Sequence, residues 1–260
     1  MRVAGVGFVC MDVYEKLNKY YPTGNGVDFA INLSKFGIQT SIVSAVGDDE
    51  YGKYMAGTLE KYGVDISHLR MEKGSTAIIK MDLNGNDRVH GERIRGVMDN
   101  FALTDDDIEF IKKHDIIHTD LTGKITGLLP LFKENGLSIF FDFSIKLNNP
   151  DNINLLPHID YALFSYKQHD SYIEEFMKWA KSLGPRVVVA TFGEEGSLAY
   201  DGKTFYKEGI IPAEVVNTVG AGDAFAAGFM YGIINNKNIQ ECLKSGAKLA
   251  ASIVNTFEPY

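Results

Sequence analysis

The sequence predicts an α/β fold: a mostly parallel central sheet flanked by helices, with a small β element standing apart from it. Three observations carry this expectation. Short β-branched runs alternate with amphipathic helical patterns along most of the chain, and parallel sheets are built that way because each strand needs a crossover before the next. Residues 75–93, STAIIKMDLNGNDRVHGER, break the rhythm by alternating apolar and polar residues around Asn84-Gly85, a strong signal for a two-residue hairpin turn. Asn217–Phe229, NTVGAGDAFAAGF, carries three small residues through a tight turn into a helix of small and aromatic residues. The 260 residues, 45% of them hydrophobic, suffice for one large domain over 1–260 with such an appendage.

Taken in order, residues 3–10, VAGVGFVC, have the composition of a buried first strand. Gly5 and Gly7 lack the third glycine of a dinucleotide fingerprint, Cys10 standing in its place, so the pair reads as close packing. The strand is expected to end at Met11-Asp12, and a carboxylate at the C-terminal end of a parallel strand lies where such sheets bind ligands. Val13–Tyr21 is expected to be extended and to run into Pro22-Thr23-Gly24. A helix follows over Asn25–Phe36, ended by Gly37, with Asp28 in the first turn where the dipole favours an acid. Ser41–Val46 reads as a strand, and Asp48–Tyr62 as a charged helix closed by Gly63. Beyond the hairpin, the expected elements are helices over 105–113 and 125–135 and strands over 116–120, 137–143 and 161–165. A helix after Gln168, a strand over 186–191, a hairpin over 197–206 turning at Asp201-Gly202, and a helix over 239–255 complete the series.

Composition excludes several functions. With 26 basic against 34 acidic residues and a net charge of −8, the chain lacks the positive charge that non-specific nucleic-acid or anionic-membrane binding needs. No apolar stretch approaches the ~18 residues of a membrane span, and the beginning MRVAGVGFVCMDVYEK reads as a strand rather than a signal peptide. Cys10 and Cys242 belong to no C-x-x-C pair, so free thiols in a reducing cytoplasm are expected. His114 and His118 are four apart, but Ile116 and Ile117 between them read as strand and no third ligand is near, so no metal site is expected.

The chemistry concentrates in Gly220, Ala221, Gly222 and Asp223. Backbone N–H groups at a helix start lack intrahelical partners and the helix dipole adds partial positive charge, so a phosphoryl oxygen is the natural guest. A phosphate would repel an aspartate beside it, which suits Asp223 to the hydroxyl proton of the other reactant. As an isolated motif, the same residues also read as a capped helix start.

Further motifs in the same order give the stretch its context. Asn217-Thr218-Val219-Gly220-Ala221-Gly222-Asp223 resembles the D-T-x-G-A-G-D signature of the ribokinase-like (PfkB) carbohydrate kinases, with Asn217 in place of Asp. Thr23-Gly24-Asn25-Gly26-Val27-Asp28 is similar to that family's G-G-x-x-x-N, with Thr23 for the first glycine and Asp28 for the asparagine. Thr191-Phe192-Gly193-Glu194-Glu195-Gly196 resembles its T-x-G-x-x-G, while Ser165 and Gln168 stand where many members carry N-x-x-E. A narrower resemblance, to the fructoselysine 6-kinase subgroup, rests on Asn86-Asp87-Arg88-Val89, Gly96-Val97-Met98 and Phe101-Ala102-Leu103.

The resemblance implies transfer of the γ-phosphate of ATP, with Mg2+, to a primary hydroxyl of a sugar or amino-sugar, O6 in fructoselysine. Asp223 would be the base, and the N–H groups of Gly220, Ala221 and Gly222 the anion hole. It implies sugar contacts from Asp12, Gly24, Asn25, Asp28 and Arg88, ATP contacts from Thr191, Gly193, Gly196 and Gly222, and no assigned protein ligand to metal. Residues 13–22 and 75–93 would form a β lid that excludes water, and its exposed strands are candidates for pairing in a homodimer. Two other readings are another sugar or nucleoside as acceptor and a catalytically silent sugar-binding regulator; an intact Asp223 and cradle argue against the regulator.

Overall fold

The computed structural model describes residues 1–85 and 87–260. Asn86, part of the string used above for the subgroup, lies outside the described residues.

The chain begins with β1 (Arg2–Val6), β2 (Cys10–Tyr14), β3 (Lys19–Thr23), α1 (Asn25–Ser34), β4 (Gln39–Gly47), α2 (Glu50–Lys61) and β5 (Asp65–Glu72). It continues with β6 (Ile78–Asn84), β7 (Asp87–Ile94), α3 (Asp105–Ile111), β8 (Ile116–Asp120), α4 (Leu129–Glu134), β9 (Ser138–Asp142), α5 (Asn152–Leu155) and β10 (Tyr161–Ser165). The remaining elements are α6 (Ser171–Ser182), β11 (Val187–Thr191), β12 (Ser197–Tyr200), β13 (Phe205–Glu208), α7 (Ala221–Ile234) and α8 (Ile239–Val254). The strands form a large sheet of order β13-β12-β11-β10-β9-β8-β1-β4-β5 and a small one of order β3-β2-β6-β7. From β11 to β5 every neighbouring pair is parallel, and the two pairs that β12 makes, with β11 and with β13, are antiparallel.

Alternation along the strands divides the core between the two faces of the large sheet. Ile139, Phe141, Val188 and Ala190 join one cluster with Met55, Leu59, Phe132, Phe176 and Met177 of α2, α4 and α6. Phe140, Val187 and Val189 join the other, with Phe29, Leu33, Phe225, Phe229 and Leu243 of α1, α7 and α8. Helix starts are fixed by side chains that accept orphan N–H groups: Asp49 from Gly52 N at 2.8 Å, and Asp170 from Ile173 N at 3.0 Å.

Two expectations are corrected. The first strand ends at Val6, not at residue 10, because the chain turns at Gly7, whose φ is 122°. A Cβ there would lie 2.4 Å from Gly123 Cα, so the loop after β8 packs against this turn and leaves room only for glycine. Asp12 therefore belongs to the small sheet, in β2, opposite Tyr21 and Ile79. The helix expected from Ile125 opens as a 3-10 turn at Thr126–Leu128, and α4 starts at Leu129.

Candidate active site

The turn before α7 is held from within. Asn217 is fully buried; its Oδ1 accepts from Val219 N at 3.1 Å, and its Nδ2 donates to Phe257 O at 3.0 Å. Gly220 takes φ 72°, and a Cβ on it would lie 2.4 Å from Pro259 Cβ, so only glycine fits. Gly222, already helical, has nothing within 4 Å of the place a Cβ would take. The start of this 14-residue helix therefore presents an open face beside first-turn N–H groups. Ala221 N points back to Thr218 O at 3.4 Å, which leaves the N–H groups further into the turn as the stronger anion donors. Asp223, in the same turn, is half-buried. Burial pushes its carboxyl up to about 6, against Arg88, which favours the ionised form, and with Asp120, which disfavours it.

Other carboxylates converge on this point. Asp12 is buried and, by that burial, pushed up to about 7, with Asp223 adding to the shift and Arg88 opposing it. Asp28 is 1% exposed; burial and then Asp223 hold its carboxyl well above the usual range, against a hydrogen bond that Thr23 Oγ1 donates at 2.7 Å. Asp142, at the C-terminal end of β9, accepts from Ser144 N at 2.6 Å and Asn25 Nδ2 at 3.2 Å, and burial and Asp223 raise it to about 7. Asp120 ends β8, accepts from Thr122 N at 2.6 Å, and is the register partner of Asp142 on the next strand. Two carboxylates side by side in a partly buried place disfavour ionisation of both.

Asp120 and Asp142 were not selected from the sequence. The available signal was the rule applied to Asp12, since Ile-Ile-His-Thr-Asp and Ser-Ile-Phe-Phe-Asp each end a parallel strand with an acid. Arg88 is exposed on β7, and its backbone N donates to Thr218 Oγ1 at 3.3 Å, which brings the hairpin of the small sheet against the cradle turn. Gly24 precedes α1 at φ 128°, with Phe8 O 2.7 Å from where a Cβ would lie.

The residues expected at the nucleotide lie farther along the same edge of the sheet. Thr191 ends β11, with its Oγ1 3.3 Å from Ser165 Oγ. Gly193 is open, whereas Gly196 is packed: a Cβ on it would come 2.2 Å from Glu208 O. Gln168 is engaged with the cap of α6, its Nε2 donating to Asp170 Oδ2 at 3.0 Å. Two open cavities, about 550 and 630 Å3, lie beside the ends of β8 to β10 and share Ile145 and Asn148. Among the described residues, no group of three His, Cys, Asp or Glu side chains is arranged to hold a metal. His118 stacks on Phe29 at 4.1 Å, and burial lowers it to about 3, so it is a neutral core residue.

A model of the pfkB family carbohydrate kinases matches residues 9–120 and 157–259. The chain is 36% identical over 252 residues to the fructoselysine 6-kinase of Escherichia coli (strain K12), with 97% of each protein covered. Ribokinase from Arabidopsis thaliana, solved with ribose and ATP, has the same fold at a TM-score of 0.84 and 21% identity, with 99% of this chain and 93% of that one covered. A protein assigned as ribokinase II from Escherichia coli, in complex with ATP and Mg2+, gives 0.83 at 18% identity, covering 99% and 94%. The fold is thus ribokinase-like.

Proposed function

The chain belongs to the pfkB family of carbohydrate kinases, and from that premise we propose that it transfers the γ-phosphate of ATP to O6 of fructoselysine or a related fructosamine. The observation that carries the reading is Asp223 on the first turn of α7, beside the open face of Gly222. Asp223 takes the proton of the attacking hydroxyl; at about 6 its carboxyl is ionised at neutral pH yet more basic than an ordinary aspartate. The first-turn N–H groups of α7 stabilise charge on the transferring phosphoryl group. Asp12, Gly24, Asn25, Asp28 and Arg88 hold the sugar, with Asn25 steadied by Asp142 and Asp28 acting through Thr23.

Thr191, Gly193, Gly196 and Gly222 border the nucleotide, and the open faces of Gly193 and Gly222 fit its phosphates. Bound Mg2+ would supply neutralisation of phosphate charge. Two carboxylates at the sugar end, Asp12 and Asp28, favour a substrate with a cationic amine over a neutral ketose. The small sheet acts as the lid. Its edge strand β7, exposed throughout its described length, is the surface for pairing with a second copy. No helix in the described residues is long and apolar enough to cross a membrane, and a cytoplasmic location suits an enzyme that draws on ATP.

ADP release from Mg-ATP, measured in parallel with fructoselysine, fructose, ribose and adenosine, tests the reading. Selective turnover of fructoselysine is expected. Preferential turnover of another acceptor would overturn the substrate, and sugar binding without turnover would overturn the role of Asp223.

A further inference from the structure

The residues that follow α8, Asn255–Tyr260, touch both ends of the site. At the phosphoryl end, Phe257 O accepts from the buried Asn217 Nδ2 at 3.0 Å, and Pro259 fills the space beside Gly220. At the sugar end, the buried Tyr260 hydroxyl donates to Pro22 O at 2.9 Å. Pro22 directly precedes Thr23, whose own hydroxyl holds Asp28. Between the two ends, the Phe257 ring meets Tyr14 edge-on at 5.1 Å and lies 3.8 Å beneath Lys19 Nζ, which ties the segment to β2 and β3 of the small sheet. The Tyr260 ring packs edge-on against Tyr62 at 5.4 Å, so it is held from the side of α2 as well.

We propose that Asn255–Tyr260 is a strap that sets the placement of the sugar-holding turn Thr23–Asn25 relative to the first turn of α7, with Tyr260 and Asn217 as its positioning residues. Neither residue touches the reacting atoms. Each anchors one end of a short, packed segment, so a displacement at one end is carried to the other by contacts with little slack. Phosphoryl transfer depends on alignment, and a misplacement of about 1 Å reduces the rate by about 10²-fold. The inference rests on the sugar-kinase reading for its consequence and on the contacts themselves for the coupling.

The test uses Tyr260→Phe and Asn217→Ala, singly and together, in the full chain. Tyr260→Phe keeps the ring and removes one hydrogen bond, so the KM for fructoselysine is expected to rise about 2- to 10-fold with the KM for ATP unchanged. Asn217→Ala is expected to act on kcat. The pair should be non-additive although the two side chains lie at opposite ends of the strap. Amide hydrogen exchange, measured without ligand, should accelerate at Val219–Asp223 in Tyr260→Phe as well as at Thr23–Asp28.

A purely structural role would lower Tm without this KM-against-kcat split. Exchange changes confined to the Pro22 side, or strictly additive kinetics, would overturn the proposal. Coupled exchange in a protein that leaves fructoselysine untouched would keep the strap and discard the substrate.

Discussion

As the proposed base, Asp223 has to meet two requirements that pull apart: ionised at neutral pH to accept a proton, yet basic enough to hold it. Burial raises its carboxyl to about 6, and Arg88 keeps it from rising further. General-base assistance is worth about 10² to 10⁴ in rate, or about 3 to 5 kcal/mol, whereas a helix dipole supplies about 0.3 to 2 kcal/mol. Asp223→Asn is therefore expected to reduce kcat by at least about 100-fold with the KM for ATP nearly unchanged. Steady-state kinetics decide it, and an unaltered kcat would remove Asp223 from the chemistry. The same balance gives a pH prediction. The base works ionised, so kcat/KM should fall as pH drops through about 6. Arg88→Gln removes a charge that favours ionisation and should move that acid limb to higher pH; a limb that stays in place or moves down would show that Arg88 does not face the base.

The start of α7 shows how two glycines two positions apart serve different ends. Gly220 is glycine for the fold, being left-handed and packed against Pro259, whereas Gly222 is helical and faces open space. Gly220→Ala should lower Tm and activity together. Gly222→Ala should leave Tm unchanged or slightly raised, since alanine suits a helix by about 1 kcal/mol. Its methyl would nevertheless stand where a phosphate approaches, so the KM for ATP should rise at least about tenfold; an unchanged value would place the phosphate elsewhere. Much of this element was legible in the sequence, because a glycine-rich turn before small residues has few alternatives. The end of β1 was less so: VAGVGFVC is uniformly apolar, and the residue packed against the turn at Gly7 is Gly123, far away in sequence. Asn84-Gly85 announced the β6–β7 hairpin by local chemistry. Asp120 and Asp142 gained their meaning only when β8 and β9 were set side by side, and nothing local in Asn255–Tyr260 indicates that it bridges the site.

Across the whole molecule, acids drawn into the fold include two groups with opposite effects on stability. Asp107 is lowered: burial works against it, but hydrogen bonds from Thr104 and His68 and the charge of Arg70 outweigh burial. Its contribution is present above the ordinary carboxylate range and is lost as pH falls. Asp12, Asp142 and Asp223 are raised, first by burial and then by a neighbouring acid, Asp223 for Asp12 and Asp142 and Asp120 for Asp223, so between 3.8 and about 7 the folded state binds more protons than the unfolded chain. Stability then falls as pH rises through that window. Gathering these carboxylates at the proposed site thus destabilises the fold as pH rises toward neutral. Asp142→Asn isolates the effect, because the amide can still accept from Ser144 N while carrying no charge. Its Tm should exceed that of the natural protein at pH 8 and match it near pH 5, where Asp142 is already protonated in the folded state. Thermal unfolding at the two pH values tests this. An equal shift at both would assign the gain to packing, and a loss at pH 8 would mean that the Asn25 contact outweighs the buried charge.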